Sequence, residues 1–408
     1  MQCGLLGRKL SHSYSPQIHN ALTEYSYHLF EVEPEGLDDF FQNTPFTGIN
    51  VTIPYKKAVI PYCTELSDCA QKLGAVNTII HRADGSLIGH NTDYFGFQSM
   101  LQNSGLSVEG KKALVLGSGG ASATVVAVLA ECGAFPVVIS RSGENNYDNL
   151  HIHTDASVIV NATPVGTFPD VDNSPVDLEA FPKLEGVLDL IYNPARTKLL
   201  LQAEQMGLIA ENGLWMLVAQ AKESAEWFSG HTIDDTQIAR IYHMLHQQME
   251  NLTLVGMPGC GKSTIGRILA EKLQKTFVDA DSEIVNTAGI SIPQIFETSG
   301  EVGFREIEMQ VLEQLGKRSG LVIATGGGCV TRKENYNHLH QNGTIVWLKR
   351  DLDQLATEGR PLSKTGELDK MYAVRKPLYE RFADFTVEND LDPNAVADKI
   401  ISALNLEV

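Results

Sequence analysis

Residues 252–264, LTLVGMPGCGKST, join a short apolar run to a glycine-rich turn, a lysine and two hydroxyl residues. The spacing G-x-x-x-x-G-K-S from Gly256 to Ser263, placed before the helical run TIGRILAEKL, leaves little choice of local fold. A strand–turn–helix unit makes successive backbone N–H groups and a helix N-terminus converge on an anion. Gly256, Gly259 and Gly261 supply the backbone freedom, Lys262 reaches the β and γ phosphates of ATP, and the Ser263 hydroxyl, followed by Thr264, faces Mg²⁺. A second unit of this kind lies upstream at residues 113–124, ALVLGSGGASAT. Its loop, with Gly117, Gly119, Gly120 and Ala121, follows G-x-G-x-x-A/S, the spacing of a dinucleotide cradle. About 20 residues on, where an NAD enzyme carries an acidic residue, VVISRSG offers Ser140 and Arg141. Such an arginine suits the additional phosphate of NADP; the competing reading is a solvated surface group.

Around these loops, apolar runs alternate with helical stretches. TGINVTIP, KKALVLG, FPVVIS, ASVIVNA and LEGVLDLIY are rich in Val and Ile, and their alternation with helices predicts parallel sheets of α/β type. GLWMLVAQAKESAEWFSG and TQIARIYHMLHQQME have helical periodicity, and the second runs straight into the strand at Leu252. With 408 residues the chain needs two or three domains. We expect a substrate domain over 1–95, completed by helices of about 213–245, a Rossmann NADP-binding domain over 96–212, and a P-loop domain with a parallel sheet over 250–408.

A formal net charge of −18 argues against a nucleic-acid or anionic-membrane partner, which clustered Lys and Arg would have to recognise. The opening MQCGLLGRKLSHSYSP turns polar too soon for a signal peptide, and no apolar run reaches the roughly 20 residues of a membrane span. The six cysteines show neither C-x-x-C pairs nor zinc-like spacing with histidine, so we expect no disulfide and no structural metal in a soluble, cytoplasmic protein.

The first 245 residues collect polar groups at turns and strand ends: Ser13 and Ser15 beside Pro16, then Thr52, Lys56, Asn77 and Asp93. Singly, each has an ordinary reading as a cap, a turn residue or a solvated lysine. In order, and with NATPVG, LDLIYNPART and GLWMLVAQA, they resemble the shikimate dehydrogenase family. The resemblance implies that Ser13 and Ser15 bind a substrate carboxylate, and that Thr52, Asn77, Asp93 and Gln220 hold ring hydroxyls. Tyr192 matches a tyrosine near the substrate site. Lys56 and Asp93 are the implied catalytic pair, chemistry the residue types support: hydride delivered to a ketone carbon places negative charge on oxygen, which an ammonium stabilises and protonates.

Downstream of the P-loop, TFVDADSEI puts Asp279 and Asp281 two apart at a strand end, and GFREIEMQVL puts Arg305 and Glu308 on one helical face. Gly326, Gly327 and Gly328 close the strand LVIATGGGCV and permit close approach of a ring. GRPLS adds Arg360, and VRKPLYERFA adds Arg375. The series resembles the shikimate kinase family. The resemblance implies that Asp281 activates the attacking hydroxyl, Arg305 and Arg375 clamp the carboxylate, the glycines line the ring, Asp279 orients metal-bound water, and Arg360 reaches the transferring phosphoryl group from a lid. The lid segment DQLATEGRPL lacks the further arginine that this family usually stacks on adenine.

Shikimate is the product of the first activity and the substrate of the second, so one chain with both cradles reads as a bifunctional enzyme using NADP(H), ATP and Mg²⁺. The rivals are a quinate-type dehydrogenase joined to a kinase, and a regulatory binding protein with both folds but no catalysis. The oligomeric state stays open.

Overall fold

The computed structural model describes residues 1–10, 13–355, 367–390 and 392–407. The chain divides into two compact units. The first comprises Met1–Thr167, Asp172–Tyr192 and Thr197–Met244, and the second comprises Phe168–Val171, Asn193–Arg196 and Leu245–Val408. The main division falls inside the helix Thr236–Met249, a few residues before the expected position at 250. No glycine or proline punctuates that helix, so pattern alone had nothing to mark the join.

Two sheets form the first unit. Strands β1 (Gln2–Gly7), β2 (Ser26–Glu31), β3 (Gly48–Val51), β4 (Glu65–Leu66), β5 (Thr78–His81) and β6 (Leu87–His90) assemble in the order β2-β1-β3-β5-β6-β4. This sheet is mixed: β1 runs parallel to both β2 and β3, whereas β5 is antiparallel to β3 and to β6. Hence β3, the strand of TGINVTIP, has a parallel neighbour on one side only. The antiparallel pair β5–β6 comes from the tight turn Arg82–Ser86, where Asp84 accepts from the Ser86 backbone N–H at 2.9 Å.

The second sheet, β7 (Lys112–Leu116), β8 (Phe135–Ile139), β9 (Val158–Asn161), β10 (Gly186–Asp189) and β11 (Ile209–Glu211), is parallel throughout in the order β11-β10-β9-β7-β8. Its central strands are buried on both faces, which is why they read as continuous apolar runs.

In the second unit, β12 (Asn251–Val255), β13 (Thr276–Asp279), β14 (Leu321–Ala324), β15 (Gly343–Lys349) and β16 (Phe385–Glu388) form another parallel sheet, ordered β13-β14-β12-β15-β16. Its core includes Leu254, Ile265, Leu269, Leu312, Ile323 and Val346, all at most 1% exposed. In both parallel sheets the glycine-rich loops leave the carboxyl end of a central strand, where such folds bind ligands. Among the described residues no helix is long and apolar enough to cross a membrane.

Candidate active sites

In the first unit a cavity of about 640 Å³ opens between the carboxyl end of β3, the β6 corner, the dinucleotide loop and the helix Leu214–Ser229. It brings together Ser13, Ser15, Thr52, Lys56, Asn77, Asp93, Tyr192 and Gln220, the whole set singled out in the sequence for this unit's substrate. Lys56 Nζ lies 2.5 Å from Asp93 Oδ2, and the two side chains are 22% and 11% exposed. Asn77 fixes the other carboxylate oxygen, Nδ2 to Oδ1 at 2.9 Å. The pair is partly sheltered from water, so its attraction is stronger than that of a solvated surface pair, while the ammonium stays accessible from the cavity.

Chain geometry explains the convergence. Asp93 opens the helix Asp93–Ser104, whose Gly96 faces the helix Leu214–Ser229 so closely that an added Cβ would sit 2.9 Å from Gln220 Cβ and from the Met216 carbonyl oxygen. Glycine at that point lets the two helices meet and puts Gln220 beside Asp93. Ser15 is buried at the N-terminus of the helix Ser15–Leu22, and its N–H donates to Ser13 Oγ at 3.2 Å. Tyr192 meets Tyr14 edge-on, ring centres 6.1 Å apart, and burial raises both phenols above their ordinary range.

The dinucleotide loop has the form its spacing predicts. Gly117 takes φ +103° against Ala162 and Thr163, a conformation side chains resist, and Gly119 precedes the helix Gly120–Glu131. At Gly119 and Gly120 an added Cβ would meet nothing within 4 Å, so the helix N-terminus is open to an anion. Arg141 is exposed just beyond β8, with Ser140 half-buried beside it. This donor set fits a dinucleotide with a further phosphate. Sequence reasoning passed over Lys9, Asn50 and Met216, which also line the cavity; Lys9 stood in the quoted GRKLSHSYS, and Asn50 in GINVTIP, without a pattern of its own.

In the second unit the P-loop glycines Gly256, Gly259 and Gly261 take φ +145°, +84° and +95°. Lys262 Nζ donates back to the carbonyls of Gly256 and Met257 at 2.9 and 3.0 Å, so the ammonium already sits inside the cradle. Ser263 Oγ donates to Asp279 Oδ2 at 2.7 Å, while Asp279 Oδ1 accepts from the Asp281 and Ser282 N–H groups. A hydroxyl and a carboxylate held together at an anion cradle fit a hydrated Mg²⁺. Thr264 is exposed on the first turn of the helix, and Cys260 is fully buried, a packing residue.

Three glycines tie the remaining groups together. A Cβ on Gly326 would fall 2.9 Å from Asp281 Oδ1 and 3.0 Å from Glu308 Oε1; on Gly327, 2.6 Å from Pro258; on Gly328, within the Arg305 guanidinium. Only glycine admits these contacts. Arg305 pairs with Glu308 at 2.7 Å, both buried. Burial pushes the Glu308 carboxyl upward and Arg305 opposes it; burial disfavours the Arg305 charge, but Glu308 and Glu301 outweigh that and raise its pKa. Arg375 Nη1 donates to the Gly327 carbonyl at 3.2 Å, and Tyr379, one turn on, donates to the same oxygen at 2.5 Å. Tyr379 escaped the sequence reading, although its spacing of four from Arg375 was the signal. Arg360 lies outside the described residues.

Comparison with known proteins finds a match in each half of the chain. Residues 5–79 match the family model of the shikimate dehydrogenase substrate binding domain. A shikimate dehydrogenase (NADP(+)) of Clostridium beijerinckii is 35% identical over 268 residues, which cover 60% of this chain and 98% of the relative. The chain belongs to the shikimate dehydrogenase family. A solved chorismate mutase/shikimate 5-dehydrogenase fusion protein from Clostridium acetobutylicum is 38% identical, with TM-score 0.57 over 60% of this chain and 97% of that one. Shikimate 5-dehydrogenase from Thermus thermophilus, solved in complex with NADP(H) and shikimate, is 31% identical, with TM-score 0.55 over 60% of this chain and 99% of that one. Residues 258–405 match the family model of shikimate kinase, so the chain carries a shikimate kinase domain as well.

Proposed function

We propose that the chain performs two consecutive reactions: NADPH-dependent reduction of 3-dehydroshikimate to shikimate in the first unit, then ATP- and Mg²⁺-dependent phosphorylation of shikimate to shikimate 3-phosphate in the second. Both are steps of aromatic amino acid biosynthesis by way of chorismate. Lys56 carries the first assignment, because its ammonium is held on Asp93 at 2.5 Å in a cavity whose wall includes the dinucleotide loop. When bound, NADPH supplies the hydride, and ATP with Mg²⁺ supplies the phosphoryl group. As the ketone carbon is reduced, Lys56 stabilises the charge that develops on oxygen and gives it a proton, while Asp93 holds the ammonium in place. Ser13 and Ser15 take the substrate carboxylate, and Thr52 and Gln220 take ring hydroxyls, with Tyr192 closing the site; Asn77, which the sequence also assigned to a ring hydroxyl, has both amide hydrogens on Thr92 and Asp93 and serves to orient Asp93. Gly117, Gly119, Gly120 and Ala121 receive the pyrophosphate, and Ser140 and Arg141 the extra phosphate.

In the second unit Asp281 receives the proton of the attacking hydroxyl, and Arg305 and Arg375 hold the carboxylate against Gly326, Gly327 and Gly328. Lys262 and the loop donors would hold the phosphates of ATP, and Ser263 and Asp279 would hold Mg²⁺, which offsets phosphate charge. Arg360 serves the transferring group. The domain limits follow the same logic: 1–95 with 213–245 for substrate, 96–212 for NADP, and 250–408 for phosphoryl transfer. The substrates are small molecules, and we place the enzyme in the cytoplasm with its NADPH and ATP.

Incubating purified protein with 3-dehydroshikimate, NADPH and ATP–Mg²⁺, with products followed by mass, tests the assignment: shikimate and then shikimate 3-phosphate are expected. Faster oxidation of quinate with NAD than of shikimate with NADP would favour the quinate-type alternative, and no turnover at all would favour a binding protein.

A further inference from the structure

We infer that Ser224 is a positioning residue for the reductase site, fixing Gln220 and the Asn77–Asp93 pair in register. The inference rests on the first unit's assignment as the 3-dehydroshikimate reductase. Ser224 is fully buried on the helix Leu214–Ser229, one turn after Gln220, and does not line the cavity. Four groups surround its hydroxyl: Asn50 Nδ2 at 2.8 Å, Thr92 Oγ1 at 3.0 Å, Thr78 Oγ1 at 3.1 Å and the Gln220 carbonyl oxygen at 2.9 Å. Three of them lie 132 to 174 residues away in sequence, on β3, on β5 and at the β6 corner.

A hydroxyl has one hydrogen and two lone pairs, and within that limit one assignment uses every hydrogen of the set. Ser224 gives its hydrogen to the Gln220 carbonyl, and its lone pairs accept from the Asn50 amide and from the Thr92 hydroxyl. The second Asn50 hydrogen goes to Thr78 Oγ1 at 3.1 Å, and Thr78 donates to Asn77 Oδ1 at 3.0 Å. Asn77 Oδ1 also accepts the Thr92 N–H at 2.8 Å, while Asn77 Nδ2 spends its hydrogens on Thr92 Oγ1 at 3.1 Å and on Asp93 Oδ1 at 2.9 Å. Tyr27 closes the far end, donating to Asn50 Oδ1 at 2.7 Å. Every hydrogen of this buried set is used once, and the chain of donors ends on the carboxylate that holds Lys56.

Two consequences follow. Asn77 is committed to the protein on both of its amide hydrogens, so its orientation, and that of Asp93, depends on Thr92 keeping its place. In this assignment Thr92 keeps it by donating to Ser224, whose hydroxyl in turn is bonded to the backbone of the helix carrying Gln220. Without the Ser224 hydroxyl, an Asn50 hydrogen and the Thr92 hydrogen lose a buried acceptor, and buried polar groups move to recover partners when they lose them. The threonine can turn toward Gln220 Oε1, already 3.4 Å away, and draw on the group meant for substrate.

The full-length Ser224→Ala variant should therefore raise the KM for 3-dehydroshikimate by roughly tenfold, the loss set by one unpaired buried donor, with the KM for NADPH unchanged. The unchanged KM for NADPH reports a correctly folded first unit, and shikimate phosphorylation in the same preparation should keep its wild-type rate. Thr92→Val, which removes the connecting hydroxyl, should show the same selective rise and decides the matter if Ser224→Ala is insoluble. Ser224→Cys keeps a weak donor and acceptor and should recover part of the affinity. A wild-type KM for 3-dehydroshikimate in both Ser224→Ala and Thr92→Val overturns the inference, as does a lowered melting temperature with KM unchanged, which would mark a purely structural role. If the wild-type chain leaves 3-dehydroshikimate unreduced, the reductase assignment itself fails, and this inference falls with it.

Discussion

Replacing Glu308 by Gln isolates one charge in the second unit. The side chain is 1% exposed and lies 2.7 Å from Arg305, itself 10% exposed, while Glu301 holds the same guanidinium from 3.3 Å at 68% exposure. The amide keeps the volume and one acceptor but leaves a buried cation facing a neutral group. Deleting one member of a buried ion pair costs about 3–5 kcal/mol. Because the amide oxygen still accepts and Glu301 remains, about 2–3 kcal/mol is expected here. For a unit of this size each kcal/mol lowers the melting temperature by about 2–4 °C, so the second unit should melt roughly 5–10 °C lower. Arg305 is also pressed against Gly328, and a guanidinium released from Glu308 no longer presents a fixed fork to a carboxylate; the shikimate KM should rise about fivefold or more. The assay is residual kinase activity after stepwise heating, with reductase activity of the same samples as reference and Glu301→Gln as control. The exposed partner should cost no more than about 0.5 kcal/mol. Glu308→Gln melting within about a degree of wild type, or costing no more than Glu301→Gln, would refute the reasoning.

Burial depresses the His19 imidazole to about 3, so folding refuses a proton that the unfolded chain accepts near its ordinary 6.5. The stability tied to His19 is complete above pH 6.5 and is lost as pH falls toward 3, at about 1.4 kcal/mol per pH unit. Urea unfolding of the first unit at pH 6.5 and 5.0 should differ by about 2 kcal/mol, and His19→Phe, which keeps the stack on Tyr27, should flatten that difference. Arg141→Asp should weaken NADPH use by roughly ten- to a hundredfold relative to NADH, read as the ratio of kcat/KM values; an unchanged ratio would make Arg141 a solvated surface group. Arg360→Ala should lower the kinase kcat by about 10³-fold with a much smaller change in shikimate KM, since an arginine serving the transferring phosphoryl group acts mainly in the transition state; near-normal kcat would show that another residue serves that group.

The parallel sheets and both glycine loops were legible because their signals are local: an apolar run, a fixed glycine spacing and a helix start. The charged groups were legible for a related reason, since Lys56 stands in a turn, Asp279 at a strand end, and Asp93 and Asp281 in the first turn of a helix, where a polar residue has no packing role to explain it. What stayed hidden depends on contacts distant in sequence. Ser224 reads as an ordinary polar position of an amphipathic helix until Asn50, Thr78 and Thr92 are placed around it. The mixed character of the first sheet was present in the turn residues RADGS, but the alternation of strands and helices outweighed it. Gly96 carried no motif, and its role appears only when a second helix is set against it.

The central claim is that one chain holds two independent chemistries that share shikimate. It is tested most directly by assaying both activities on Lys56→Ala and Lys262→Ala in the full-length protein. Lys56→Ala should lower 3-dehydroshikimate reduction by about 10²–10⁴-fold, the range for a lost general acid, and leave shikimate phosphorylation at its wild-type rate. Lys262→Ala should abolish phosphorylation and leave reduction intact. Loss of both activities in either folded variant, or of neither in Lys56→Ala, would contradict the account.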